Sequence, residues 1–242
     1  MHKNGVGKNS LEVVPTCQDC INNGATIFRH LSDEELRDLD QVKGCTIVKR
    51  GTVLYQEGNR INGFYCVGRG IVKIFKTGVE GKEMIIRFAQ SGDIFGYRSI
   101  ISGENACSSA MVIEEAVLCH IPADFLLKTV NTNQPFSREI MNLACRELGD
   151  ANNFITDIAQ KTVRERLAEI ILYLHNEFGV DADEYLKISL TREEIANMIG
   201  TATESVIRLL SEFKADQLIS LNGRKIKILD YSSLKRIGNV FS

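Results

Sequence analysis

The sequence predicts an α+β protein: a small antiparallel β-roll, then a long helix, then a helical module closing on a β-hairpin. Three observations predict it. Ten of the 19 glycines lie between Gly51 and Gly103 and separate short β-rich runs. From Gln134 onward, apolar residues recur at alternating spacings of three and four. Beyond Leu190, two helical patterns flank Gly200, and Asn222-Gly223 then stands between alternating apolar residues.

The roll is read from Thr52-Val-Leu-Tyr, Gly63-Phe-Tyr-Cys-Val, Ile71-Val-Lys-Ile-Phe, Glu83-Met-Ile-Ile-Arg-Phe and Ala116-Val-Leu-Cys-His-Ile. Short strands separated by turn residues at such intervals form sandwiches or barrels, and residues 45–122 are assigned to one. Ahead of them Ser32 and Glu35 have the spacing of a capping box. In the long helix, Met141, Ala144, Leu148, Ala151, Ile155, Ile158 and Thr162 form an a/d seam, which argues for a helix–helix contact, with a parallel homodimer preferred. Ala144 and Ala151 let two helices approach closely, and no charge interrupts the seam; Ile140, Leu143 and Phe154 are expected to face the roll. Another amphipathic helix runs from Val163 and stops before Gly179.

Composition narrows the function classes. With 242 residues, 44% hydrophobic and 25% charged, the chain is neither disordered nor a coiled-coil rod. Its net charge of -2 gives no global basic footprint, so nucleic-acid binding must come from a local patch. No apolar stretch approaches the ~20 residues of a membrane span, and Met1 to Thr16 lacks a signal-peptide pattern. A soluble cytoplasmic protein with no membrane partner is expected. The seven cysteines are odd in number, and a reducing compartment keeps thiols reduced. No disulfide framework is expected; Cys45, Cys66, Cys107 and Cys145 are expected to be packing residues.

Residues 190–213 carry the functional signal. Thr191 is a helix N-cap and Glu194 completes its capping box; Ile195, Ala196 and Ile199 form a buried face. Gly200 turns the chain, and a second helix runs from about Thr203 to Phe213 with Val206, Leu209 and Leu210 inward. Helix, glycine turn and helix make a helix-turn-helix, whose second helix enters the DNA major groove. Thr203, Glu204, Ser205 and Arg208 stand at its exposed N-terminal end, with Thr191 and Arg192 ahead of it. Arginine donates twice to guanine, and a carboxylate accepts from cytosine N4. The alternative is a surface ion pair between Glu204 and Arg208, four residues apart. The hairpin is expected to turn at Asn-Gly in type I′, making a wing that bears Arg224 and Lys225. From Lys214 onward six basic residues face two acidic ones, the local excess that phosphate contacts need.

Glu80-Gly-Lys-Glu-Met-Ile-Ile followed by Ser91-Gly-Asp-Ile-Phe-Gly, Leu190 to Leu210, and Asp216-Gln-Leu-Ile-Ser with Asn-Gly-Arg together resemble the Crp/Fnr superfamily of bacterial transcription regulators, over about residues 17–238. The resemblance implies a cyclic-nucleotide-binding-like jelly roll, a dimerisation helix and a winged helix-turn-helix. Its partners would be double-stranded promoter DNA, RNA polymerase and a second copy of the chain. Glu204 and Arg208 fall where the family contacts bases.

The likeness has departures. Cyclic-nucleotide-binding members hold ribose with Gly-Glu and phosphate with Arg-Ser; here Gly96 precedes Tyr97 and the second pair reads Ala106-Cys107, so cyclic AMP is disfavoured. Cys17-Gln-Asp-Cys20 and Cys119 resemble three of the four cluster cysteines of the oxygen-sensing Fnr branch, and Thr26 stands near the place of the missing one. Four thiolates normally hold a [4Fe–4S] cluster; Cys17, Cys20 and Cys119 are the candidate ligands, a degenerate empty site is preferred, and haem stays open. In the reading helix, Ala202 and Ile207 replace the family's hydroxyl residues. Thr201 is then expected to take over capping, and Ile207 to meet a thymine methyl.

The expected organisation is an N-terminal tail with CxxC (1–30), a β-roll sensor (31–132), the dimerisation helix (133–160) and the winged helix-turn-helix (161–242). Catalysis is not expected. The four histidines are scattered, the serines lack evident His and Asp partners, and no Walker-type phosphate loop occurs. A roll that signals through protein contacts alone is the alternative to a DNA-binding regulator.

Overall fold

The computed structural model describes Thr16, Cys17 and residues 27–239. The chain divides into two compact units: one built on a sheet, up to Thr77 and from Ile86 to Arg146, and one of Gly78–Ile85 with the chain from Glu147.

In the sheet unit, the Ser32–Glu35 capping box forms and opens α1 (Asp33–Val42): Glu35 N donates to Ser32 Oγ (3.2 Å) and Ser32 N to Glu35 Oε2 (2.8 Å). The strands are β1 (Gly44–Val48), β2 (Val53–Tyr55), β3 (Gly63–Thr77), β4 (Glu83–Ala89), β5 (Ile94–Phe95) and β6 (Ser109–Pro122), with α2 (Tyr97–Ser102) ahead of the last. Their order is β1-β6-β3-β4, with β2 also on β6 and β5 on β3. The two runs read as separate strands, Gly63–Val67 and Ile71–Phe75, are one strand. Gly68-Arg69-Gly70 is no turn; the register against β6 shifts between Val67 and Val72, and the extra residues are absorbed as bulges. Gly70 has φ 88°, and its backbone lies so close to the Glu115 carbonyl and Ala116 that no Cβ fits.

Alternation along β3 and β6 sorts their side chains into two apolar layers. Tyr65, Val67, Ala116 and Leu118 join Val72, Phe95, Ala110 and Val112 in one. Phe64, Cys66, Cys119 and Ile121 join Phe28, Leu39, Tyr97, Leu126, Phe136 and Ile140 in the other. This second layer is where helices cover the sheet. After α3 (Ala123–Thr132), Asn133 ties the next helix down: its Oδ1 accepts from Phe136 N (3.0 Å), and its amide donates to the His30 carbonyl (3.0 Å) and Glu35 Oε2 (2.9 Å).

Helix α4 is long, Gln134–Gln160. Phe136 and Ile140 are buried in the sheet layer, and Leu143 and Ala144 pack against it. Truncating a core phenylalanine forfeits its transfer energy and leaves a cavity, so Phe136→Ala is expected to cost about 3–5 kcal/mol, read as a loss of thermal stability. On the seam, Met141, Leu148 and Ile155 are 60–65% exposed and Ile158 37%, while Ala151 is half-buried. Thr162 is not part of that seam. The helix ends at Gln160, and Thr162 caps α5 (Val163–Phe178) in a box with Glu165, whose N–H it accepts at 3.3 Å.

The second unit continues with α6 (Arg192–Ile199), α7 (Thr203–Ala215), a hairpin of β7 (Ile219–Asn222) and β8 (Lys225–Ile228), and α8 (Tyr231–Ile237). Leu167, Ala168, Ile171, Ile195, Ile199, Val206, Leu210, Phe213 and Leu234 supply its core. Among the described residues, no helix is long and apolar enough to cross a membrane.

Candidate nucleic-acid interface

Each end of the two-helix unit is fixed by a local device. Thr191 Oγ1 accepts from Glu194 N (3.0 Å), and Glu194 Oε2 from Thr191 N (2.7 Å). Gly200 closes α6 at φ 64°, a left-handed conformation that glycine adopts without the steric penalty of a Cβ. Ala202, not Thr201, is the N-cap of α7, and no side chain caps that end. The first N–H groups of α7 therefore keep their partial positive charge unanswered by a capping oxygen, a favourable feature beside phosphate.

Arg164 and Arg166, which the sequence reading did not single out, set how α7 is carried. Arg164 Nη1 and Nη2 reach Glu212 (3.2 Å) and Asp216 (2.9 Å), and its guanidinium lies 4.7 Å from the centre of the Phe213 ring. Arg166 donates to the carbonyls of Ile199 (2.9 Å) and Lys161 (2.6 Å), so one side chain spans the end of α6 and the link between α4 and α5.

The exposed row on α7 is Glu204, Ile207, Arg208 and Ser211, with Thr203 and Ser205 half-buried. Arg208 pairs with Glu212 one turn onward (2.8 Å), not with Glu204. Both groups are open to water, where such a pair is worth about 0–1 kcal/mol. Arg208 is thus easily released to another acceptor, and Glu204 has no commitment to it. Ile207, half exposed, adds an apolar side chain to the same row.

The wing differs from expectation by one residue. Asn222 pairs with Lys225, so the turn residues are Gly223 and Arg224. Gly223 has φ 58° and Arg224 does not lie at positive φ, which excludes type I′, a turn with both central residues at positive φ; glycine in the first central position belongs to type II′. Arg224 is therefore exposed at the tip. Arg192, expected beside DNA, is half-buried and donates through Nη2 to the Gly223 carbonyl (2.9 Å), bracing the wing from α6. Lys225 pairs with Asp181 (2.8 Å) and Lys227 with Glu184 (2.6 Å), so the 181–185 connection neutralises part of the basic excess.

Residues 46–133 match the cyclic nucleotide-binding domain family, and residues 165–237 the Crp-like helix-turn-helix domain; together they take in about two thirds of the chain. The chain belongs to the Crp/Fnr family. It is similar to the fumarate and nitrate reduction regulatory protein of Vibrio cholerae, 28% identical over 93% of this chain and 90% of that protein. It is likewise similar to the transcriptional activator protein Anr of Pseudomonas protegens, 29% identical over 88% of each. A solved Crp/Fnr-family structure from Eubacterium rectale shares its fold, with a TM-score of 0.75 and 21% identity over 90% of this chain and 100% of that one. This Crp/Fnr chain is a DNA-binding transcription regulator, and its relatives are regulators, not enzymes. Regulators of the family bind promoter DNA and are dimeric.

In this Crp/Fnr regulator an aromatic stack lies within the roll. Tyr65 stacks on Phe95 (centroids 5.2 Å) and on Tyr55 (6.2 Å), over the apolar layer of Val67, Val72, Ala110 and Val112. Burial raises the Tyr55 pKa, so the phenol stays neutral. Tyr97, at the position that departs from the ribose-binding Gly-Glu pair, is buried.

The cysteine expectations need correction. Cys119 is disulfide-bonded to Cys45, because β1 and β6 set the two in register; neither is a mere packing residue. Cys107 and Cys145 are exposed, and Cys66 is buried as expected. Cys17 is buried in the same layer as Cys119; it accepts from Lys43 Nζ (3.1 Å), and burial pushes its thiol up to about 11. Cys20 lies outside the described residues. Among the described residues no three Cys, His, Asp or Glu side chains gather as a metal site. With Cys119 bonded to Cys45, the described cysteines do not fit a four-thiolate cluster.

Proposed function

We propose that this regulator is a cytoplasmic homodimer joined along Met141, Ala144, Leu148, Ala151, Ile155 and Ile158, which reads a pseudo-palindromic promoter site with Thr203, Glu204, Ser205 and Arg208 of each α7. The observation that carries this reading is the exposed apolar row Met141, Leu148, Ile155 and Ile158 of α4, spread over about five turns with no charge in the row, in a chain whose family is dimeric. Thr191, Arg192, Arg224 and Lys225 serve the backbone: Arg224 meets phosphate at the wing tip, Thr191 fixes the start of α6, and Arg192 braces the turn. Lys225 contributes less than its charge suggests, because reaching phosphate means leaving Asp181. RNA polymerase is the protein partner that the resemblance implies. Cyclic AMP is not its ligand; the Tyr55–Tyr65–Phe95 stack and the apolar layer beneath it support a roll filled by its own side chains.

Titration of promoter DNA against salt with the full chain tests the phosphate assignment. Affinity should fall steeply with salt, with log K linear in log[salt]. Arg224→Ala should weaken specific and random DNA alike and reduce that slope by about 1. An unchanged slope would remove the wing from the interface.

A further inference from the structure

Three cysteines occupy one rung of the sheet. β1, β6 and β3 are neighbours, and the register sets Cys119 opposite Cys45 on one side and opposite Cys66 on the other. Directly opposed residues of antiparallel strands project to the same face, so the three sulfur-bearing side chains meet on one side of the sheet. Cys45 and Cys119 are bonded, and Cys66 is a thiol. Cys119 and Cys66 are buried, whereas Cys45 is only half-buried, so a reagent in solution has one way in. The rung belongs to the layer that contains Phe136 and Ile140, the residues that seat the long helix on the sheet.

We propose that Cys45, Cys66 and Cys119 form a dithiol–disulfide site that reacts with small-molecule disulfides and thiols and, through Phe136 and Ile140, alters how the dimer helix is seated. Its effect on DNA rests on the dimer reading above; its chemistry does not. In the oxidising direction the Cys45 thiolate attacks one sulfur of R–S–S–R and R–S⁻ departs, leaving a mixed disulfide. The Cys119 thiolate then attacks the Cys45 sulfur, and the second R–S⁻ departs. Two electrons pass from the cysteine pair to the oxidant, and the two protons end on two RSH. A small thiol reverses both steps. Cys66 adds a second route: its thiolate attacks Cys119 and expels Cys45, moving the bond from β1–β6 to β6–β3 with no net oxidation.

The test uses the full chain, equilibrated with glutathione disulfide or with dithiothreitol, alkylated, and digested without reduction for peptide mapping. The oxidised sample should yield a Cys45–Cys119 linked peptide, with Cys66–Cys119 as its exchange product, that the reduced sample lacks, and Cys45→Ala, without the entry thiol, should yield neither. The same two samples should differ in dissociation constant for a specific DNA site by about 5–150-fold, and Cys119→Ala should lose that difference. Absence of the Cys45–Cys119 link after oxidation would overturn the site. A link that forms and opens while affinity and dimer mass stay equal would overturn the switch. Loss of specific binding in both states would count against the DNA-reading assignment instead, and the peptide map with light scattering would still decide the thiol proposal. The wild-type map and titration need no variant, so a misfolded substitution does not obstruct the test.

Discussion

Leu148→Glu is expected to leave a folded monomer that binds its specific site about 10²–10⁴-fold more weakly. Leu148 is 61% exposed, midway along the apolar row from Met141 to Ile158. A carboxylate there would be buried against its symmetry mate with no partner, and like charges would face one another across a two-fold axis. Folding should survive, because Leu148 lies outside the buried core. The affinity loss follows from effective concentration: two linked reading helices gain that factor over one. Light scattering checks the mass and a DNA titration the affinity. Asn153→Glu, exposed far round the same helix, is the control and should remain a dimer with unchanged affinity. A Leu148→Glu dimer with native affinity would move the interface elsewhere.

Arg208→Ala is expected to cost about 1–3 kcal/mol at the specific site, relax the preference at one base pair per half-site, and leave random-DNA binding nearly unchanged. The guanidinium is exposed beside the N-terminal half of α7, held only by an open pair to Glu212. Glu212 also receives Arg164, so it keeps a partner when Arg208 turns to a base. Equal losses on specific and random DNA would make Arg208 a phosphate contact.

The parts that were legible in the sequence are those set by neighbours in the chain. The boxes at Ser32–Glu35 and Thr191–Glu194, the glycine at 200 and the inward row Val206–Leu209–Leu210 each depend on residues a few positions apart, and the structure holds them as read. The errors arise where spacing met a competing local signal. Thr162 continues the three-and-four rhythm, but with Glu165 it also makes a cap, and the cap prevails. Gly68-Arg69-Gly70 has the composition of a turn, yet β6 runs alongside without a break, and the strand takes up the extra residues as bulges.

Long-range pairings left no local trace. Cys45 and Cys119 are separated by 74 residues, and only the strand register brings them together. Arg192 meets the Gly223 carbonyl 31 residues away, a brace to the wing that no local pattern announces. The acidic residues Asp181 and Glu184 pair with Lys225 and Lys227 only once the wing folds back on them.

Selection of DNA from a random pool by the full chain, followed by sequencing of the bound fraction, tests the central claim most directly. A dimer with two reading helices should enrich a two-fold-symmetric site whose half-sites lie one helical turn apart, about 34–36 Å or 10–10.5 base pairs between centres. Enrichment of an unpaired half-site, or of no sequence at all, would contradict it.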